Sequence, residues 1–302
     1  NAVDYQNKIR RSKLTEDCPI SERIMVIINK QFSRWQDTWY KKRETPPLGN
    51  LKDYLSPKDQ HLMNASVTLR KGKATQISLS KVLISPEYSS RANLMYIDPS
   101  EIVVGNMPQL SLGIGSQVME YLNEDERLEG FFSMLNEYSS TGHNIPDYPL
   151  LIEQGIDTIS AAFAAKLKTA KGDQKDFYQS VVWALDGLSK FIEAYAVLAE
   201  KMAKKTKDYA PDDIANLKDV AVRMRKLAHH GAESFIEGLQ LVFITNCALH
   251  QTGEPMSIGR LDQVLIGLLE KDLKNKVLTP EQAQEALDSF WLKMDETVLY
   301  NY

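Results

Sequence analysis

Few residues in this chain have the type and spacing to do chemistry. The strongest is His143, in the turn Gly142-His143-Asn144-Ile145-Pro146-Asp147-Tyr148. Two roles stand for it: an imidazole presented to a substrate, or one hydrogen-bonded within a turn that holds the loop before a helix at Pro149. Asp147 reads as an acceptor for the first amides of that helix rather than as a catalytic acid. A second group lies at Ser257-Ile258-Gly259-Arg260-Leu261-Asp262. Arg260 and Asp262 read as an ion pair that pins the turn. Ser257, Arg260 and Asp262 are the residues here that would border a substrate pocket.

The other candidates fall to simpler explanations. His229-His230 precede Gly231 at a helix end, where the helix dipole favours cations, so capping accounts for them without a metal. His250 and Glu254 are two potential ligands with no third at suitable spacing, and no metal site is expected. Cys247, within Phe243-Ile244-Thr245-Asn246-Cys247-Ala248-Leu249, reads as a buried, inert thiol in an apolar helix. Cys18, beside Asp17 and Pro19, reads as a surface thiol. Gly113-Ile114-Gly115 lacks the further glycine and the βαβ context of a dinucleotide fingerprint. No Ser-His-Asp arrangement, P-loop or zinc spacing appears, so no catalytic residue is assigned.

The elements that must position these groups are mostly helical. The 302 residues are 43% hydrophobic, enough for a sizeable core in one large domain or two smaller ones. With 36 basic and 40 acidic residues interspersed, there is no basic face for nucleic acid. No apolar run reaches the roughly 18 residues of a membrane span, and no signal-peptide pattern opens the chain. Two cysteines make no disulfide framework, which fits a reducing cytoplasm.

Ser21 to Arg43 reads as an amphipathic helix with Ile24, Ile27, Ile28, Phe32, Trp35 and Trp39 at helical spacing, capped by Ser21. Pro46-Pro47-Leu48-Gly49-Asn50 breaks it. Thr75-Gln76-Ile77-Ser78-Leu79 alternates like a short strand, and Ile102-Val103-Val104-Gly105-Asn106 reads as a strand or extended segment. Helices are expected from Glu126 to Tyr138, from Pro149 towards Leu167, and from Lys175 to Lys205. The last would bury Phe177, Val181, Ala184, Leu188, Ile192, Tyr195 and Leu198. Further helices start at Pro211, at Ser234 and at Thr279-Pro280, where Thr279 caps and proline takes the first turn.

Four blocks, in order, resemble the glycyl radical enzyme family. They are Ile97 to Asn106; Gly142 to Tyr148 with Gly155 after it; Phe235 to Gln263; and Glu270 to Leu273 with Leu278 to Ala283 and Phe290 to Lys293. The second block is closer to the dehydratase and amine-lyase branches than to pyruvate formate-lyase. The resemblance implies a mainly α chain with a few strands, forming the N-terminal portion of the family's α/β barrel. Residues 1–95 would be a helical leader, and 96–302 the N-terminal part of a pyruvate formate-lyase-like domain with an incomplete barrel. It also implies that His143 faces the substrate cavity.

The family's catalytic cysteine and radical glycine lie further downstream, and neither position falls within these residues. The full-length enzyme would carry a glycyl radical installed by an S-adenosylmethionine iron–sulfur activating enzyme. Its partners would be that enzyme and a small-molecule substrate, with a homodimer left open. The loop Gly253-Glu254-Pro255-Met256 departs from the His-Ser pair of family dehydratases, so substrate identity does not carry over. Two functions follow: a portion of a radical lyase or dehydratase acting on a small polar metabolite, or a non-catalytic truncated relative serving as a helical binding or regulatory module.

Overall fold

The computed structural model describes residues 20–38, 49–82, 97–105, 119–133, 144–251 and 256–295. Along them run α1 (Glu22–Thr38), α2 (Leu51–Tyr54), α3 (Val67–Ile77), α4 (Glu124–Phe132) and α5 (Tyr148–Leu167). Then follow α6 (Gly172–Ala203), α7 (Pro211–Leu227), α8 (Phe235–Gln251), α9 (Leu261–Lys274) and α10 (Pro280–Met294). Among the described residues there is no strand, only one isolated parallel bridge between Asn50 and Glu120. The mainly α expectation holds, and the expected strands are not found.

The long α6 is the spine. Leu188, Phe191, Ile192, Tyr195, Ala196 and Ala199 recur at three- and four-residue spacing and are buried against α3, α5 and α7. Small residues let the helices close. A Cβ on Gly72 would lie 2.5 Å from that of Ser180, and one on Gly187 would lie 2.9 Å from the Cα of Gln76. Polar bonds then fix the register: Ser180 donates to the Thr68 carbonyl at 2.8 Å, and the Gln76 amide to Asp186 at 2.6 Å. This packing explains why Thr75 to Leu79 is no strand. Five alternating residues fit either period. Here Ser66 caps α3, and the stretch runs from α-helix into a π turn at Ser78–Val82 against α6.

The apolar α8 forms the second centre. Leu239, Leu241, Val242, Phe243, Ile244 and Cys247 are wholly buried, as a helix apolar on all sides must be. Phe243 meets Phe290 of α10 edge-on at 6.1 Å between centroids, and Gly238 admits Leu265 of α9.

Residues 97–105 form no strand: they hold a turn at Pro99–Ser100, closed by the Glu101 N–H to the Asp98 carbonyl, and a bend at Ile102–Val103. Side chains satisfy their backbone instead. The Gln240 amide donates to the Val104 carbonyl at 2.6 Å and accepts from the Val104 N–H at 2.9 Å. Asn216 donates to the carbonyls of Pro99 and Glu101, and Arg223 to that of Ile102. Buried backbone groups need partners, and three helical side chains supply what a ladder would have.

Two further expectations need correction. Phe177 is 51% exposed, not buried, because the first turns of α6 reach past the core. It joins Phe163 and Tyr178 in an aromatic group, with Lys166 over the Phe163 ring. The helix expected from Glu126 to Tyr138 runs from Glu124 to Phe132, and residues 134–143 lie outside the described residues. The Ser21 cap holds, accepting from the Ile24 N–H at 3.2 Å. The Thr279 cap holds as a reciprocal capping box with Gln282.

The first helix is tied to the rest by Lys30 to Asp98 at 2.8 Å and by the Gln31 amide to the Leu292 carbonyl at 3.0 Å. Burial pushes the Asp98 carboxyl up, but the Lys30 ammonium and the Ser100 hydroxyl and amide outweigh it and hold it down at about 2. Beneath this lies a fully enclosed ion pair, Lys293 to Glu101 at 3.3 Å, with side chains 2% and 3% exposed.

Candidate functional site

Two turns carry the candidate residues, and each is set by a helix end. The first enters α5. Asp147 accepts from the Leu150 N–H at 3.1 Å, Pro149 sits in the first helical turn, and the Tyr148 N–H bonds the Pro146 carbonyl at 2.8 Å. Asp147 is therefore the N-terminal acceptor its position suggested. The turn is held at a fixed place because α5 is riveted further along. At Gly155 the backbone adopts φ +74° and ψ 170°, kinking the helix against Gly231. Ala232 donates to the Ile152 carbonyl at 2.9 Å and Asp157 to the His229 carbonyl at 3.0 Å. His229 follows the last turn of α7 and also holds the Asp157 carboxylate, at 3.1 Å. The histidine pair thus ends a helix.

The second turn leaves α8. That helix is anchored at its start: Ser234 and Glu237 cap it reciprocally, and buried Asp272 of α9 accepts from the Phe235 N–H at 2.7 Å. At its end the ring of His250 lies against the Met256 backbone, with Nε2 3.3 Å from the N–H and 3.5 Å from the carbonyl. Burial holds this imidazole below its usual value, favouring the neutral ring that can accept the N–H. Ser257, Ile258 and Gly259 follow, leading into α9.

The two turns meet. The Ser257 N–H donates to the Asn144 carbonyl at 3.0 Å. Gly259 has φ +64°, and a Cβ there would come within 2.7 Å of the Ile145 side chain. Arg260 and Asp262 form a bidentate pair at 2.9 and 2.6 Å on the exposed rim. The hydrogen bonds from Arg260 hold the Asp262 carboxyl down at about 2. Among the predicted site residues, Ser257, Arg260 and Asp262 thus lie along one turn, against the residue that follows His143. His143 itself and Glu254 lie outside the described residues.

Sequence reasoning missed three contributors. Asn144 acts through its backbone carbonyl, which carries no sequence signal. His250 was weighed only as a metal ligand, not as a contact to the turn. Tyr148 is 1% exposed, and its hydroxyl has no hydrogen-bond partner. Burial, and after it the neighbouring Cys247, raises its pKa and keeps the phenol protonated. Among the described residues no group of three or more His, Cys, Asp or Glu could hold a metal, and no helix is long and apolar enough to cross a membrane. Cys247 is wholly buried, and a Cβ on Gly105 would sit 3.2 Å from its sulfur.

The fold has known counterparts. It resembles the B12-independent glycerol dehydratase from Clostridium butyricum with TM-score 0.66 and 18% identity, over 93% of this chain and 40% of that one. A structure described for 1,2-propanediol dehydration in Roseburia inulinivorans matches at 0.65 and 18% identity, over 94% of this chain and 40% of that one. In sequence the chain is similar to (2S)-3-sulfopropanediol dehydratase of Klebsiella oxytoca, at 31% identity over 173 residues, or 55% of this chain. It is also similar to isethionate sulfite-lyase of Desulfovibrio desulfuricans, at 29% over 185 residues, or 56% of this chain. The chain spans only 21% and 22% of the length of these two relatives.

Residues 114–301 match the family described as pyruvate formate lyase-like. That is more than half of the chain, and the chain belongs to this family. Its relatives include the glycyl radical subunit of 4-hydroxyphenylacetate decarboxylase from Clostridium scatologenes, at 25% identity over 55% of this chain and 20% of that one.

Proposed function

We propose that this chain is the N-terminal portion of a glycyl radical enzyme, a dehydratase or C–C, C–O or C–N lyase acting on a small polar metabolite. The observation that carries the reading is the meeting of the two turns, through Ser257 to Asn144 and Gly259 to Ile145. It brings two sequence blocks of family resemblance into contact, in a chain whose relatives are named for dehydrating or cleaving small polar molecules. Residues 1–95 serve as a helical leader, and 96–302 begin the domain and part of its barrel wall.

The roles of the chain's own residues are binding and orientation. His143 and Ser257 contact the substrate, and the Arg260–Asp262 pair borders the pocket and keeps its rim near electroneutral. Among the described residues, Cys247 and the two packed glycines Gly155 and Gly231 do not fit a radical pair. Cys247 is packed within α8 with no route to a substrate, and Gly155 and Gly231 are pressed together backbone to backbone. The radical glycine, installed by an S-adenosylmethionine iron–sulfur activase, and the catalytic cysteine belong to sequence beyond this span. The working environment is an anaerobic cytoplasm.

The test is to make the whole gene product anaerobically with its activating enzyme and S-adenosylmethionine, then record its electron paramagnetic resonance spectrum. A glycyl radical doublet, with turnover of a diol or hydroxysulfonate panel, is the expected result. A native product no longer than this chain, with no radical signal, would sink the enzymatic reading.

A further inference from the structure

We propose that His250 is a positioning residue that sets the register of the substrate-facing turn. The reading of that turn as substrate-facing rests on the function proposed above; the geometry of the clamp does not. His250 lies in the last turn of α8, whose preceding turns are locked in the core by Leu241, Val242, Phe243, Ile244 and Cys247. From this rigid base its ring reaches forward to the Met256 backbone. That contact ties the end of α8 to the residue directly before Ser257. Ser257 in turn meets the Asn144 carbonyl at 3.0 Å, and Gly259 rests on Ile145. An unbroken series of contacts therefore runs from the core of α8 through His250, Met256 and Ser257 to the residue beside His143.

Position matters here because one side of the turn packs on the core through Ile258 and Leu261 while its rim is exposed. Gly259 has φ +64°, and the Arg260–Asp262 pair is 69% and 64% exposed. Surface ion pairs of this kind add little rigidity. Among the described residues, the Met256 N–H to His250 and the Ser257 N–H to Asn144 are the hydrogen bonds that place the backbone before Ile258, so loss of the first gives that backbone freedom. A catalytic geometry tolerates little such freedom: a misplacement of about 1 Å can lower a rate about a hundredfold.

The test is amide hydrogen exchange on the chain itself, which needs neither substrate nor radical. Three variants are compared: His250→Phe, which keeps a buried ring and removes the acceptor; His250→Gln, which keeps a polar acceptor at similar reach; and wild type. Loss of a hydrogen bond worth about 1 kcal/mol corresponds to roughly a fivefold change in an opening equilibrium. Exchange at Met256 and Ser257 should therefore rise about fivefold in His250→Phe. It should return towards wild type in His250→Gln, while Leu241 to Ile244 stay unchanged in both. Unchanged exchange at Met256 and Ser257 in His250→Phe would overturn the proposal. So would a parallel rise along all of α8, or a Gln variant indistinguishable from Phe, since either would make His250 a packing residue. In the full-length enzyme the same Phe variant should lower kcat more than it raises KM. Failure there with the exchange result intact would fault the functional reading and leave the clamp standing.

Discussion

Of the places in this molecule where glycine lets distant segments close, two near the candidate site are built in opposite ways. At Gly155 and Gly231 the contact is a rivet: a Cβ on Gly231 would lie 2.2 Å from the Ile152 carbonyl oxygen, and two backbone hydrogen bonds flank the crossing. At Gly259 and Ile145 the contact is a seat. One hydrogen bond joins the segments, the opposing atoms belong to a side chain that is 60% exposed, and an ion pair at the rim faces solvent. The rivet fixes where the first turn begins by backbone contact, while the seat meets the second turn through one backbone hydrogen bond and a side chain. Scaffolds that bind small molecules commonly divide labour in this way, with rigid elements presenting loops.

The largest predicted effects break the rivet. Gly231→Ala should prevent folding, or lower stability by more than about 4 kcal/mol in urea melts, because the carbonyl it meets cannot move away. Next comes Lys293→Met, which strands the Glu101 carboxylate in the core. A loss of about 3–5 kcal/mol is expected, with much of it recovered when Glu101→Gln is added. At the seat, Gly259→Ala must hold a left-handed backbone and push Ile145 aside. It should lose about 1–2 kcal/mol while slowing turnover far more than stability suggests. Equal damage at the two glycines would erase the distinction between rivet and seat.

A pH series tests the docking of α1. The Asp98 carboxyl titrates below its ordinary value, so its stabilising contribution is complete above about pH 4, the unfolded value. It disappears as pH falls through the folded value of about 2. In Asp98→Asn the pH dependence of stability across that window should flatten. The smallest change is Tyr148→Phe. Removing a buried hydroxyl without a partner should leave stability unchanged or raise it by up to about 1 kcal/mol. A clear loss would mean that the hydroxyl has an acceptor in solution.

Helix starts were the most legible part of the chain, because their signals are local. Ser21, Asp147 with Pro149, and Thr279 with Pro280 all cap or open the helices they announced. The stretch from Thr75 to Leu79 failed because alternation over five residues cannot resist a close helical partner; Gly187 and Gly72 decided the matter from outside the window. Val103 and Val104 have strand composition, yet Gln240 takes the place of a neighbouring strand, and no pattern along the chain announces such a partner. Phe177 has helical periodicity with its neighbours but meets Phe163 of α5 at the edge of the core, where it stays half exposed.

At the candidate site the division is the same. The pairing of Arg260 with Asp262 could be read from their spacing, since two residues of one turn need no other element to meet. The burial of Cys247 could be read from its apolar surroundings. That Ser257 lies against Asn144, that Gly155 crosses Gly231, and that His250 reaches Met256 depend on backbone atoms, or on segments far apart in the chain. Backbone carbonyls and amides are identical at every position, so residue identity is silent about which of them pair. Only the packing of α5 and α8 around α6 and α7 brings those groups within bonding distance.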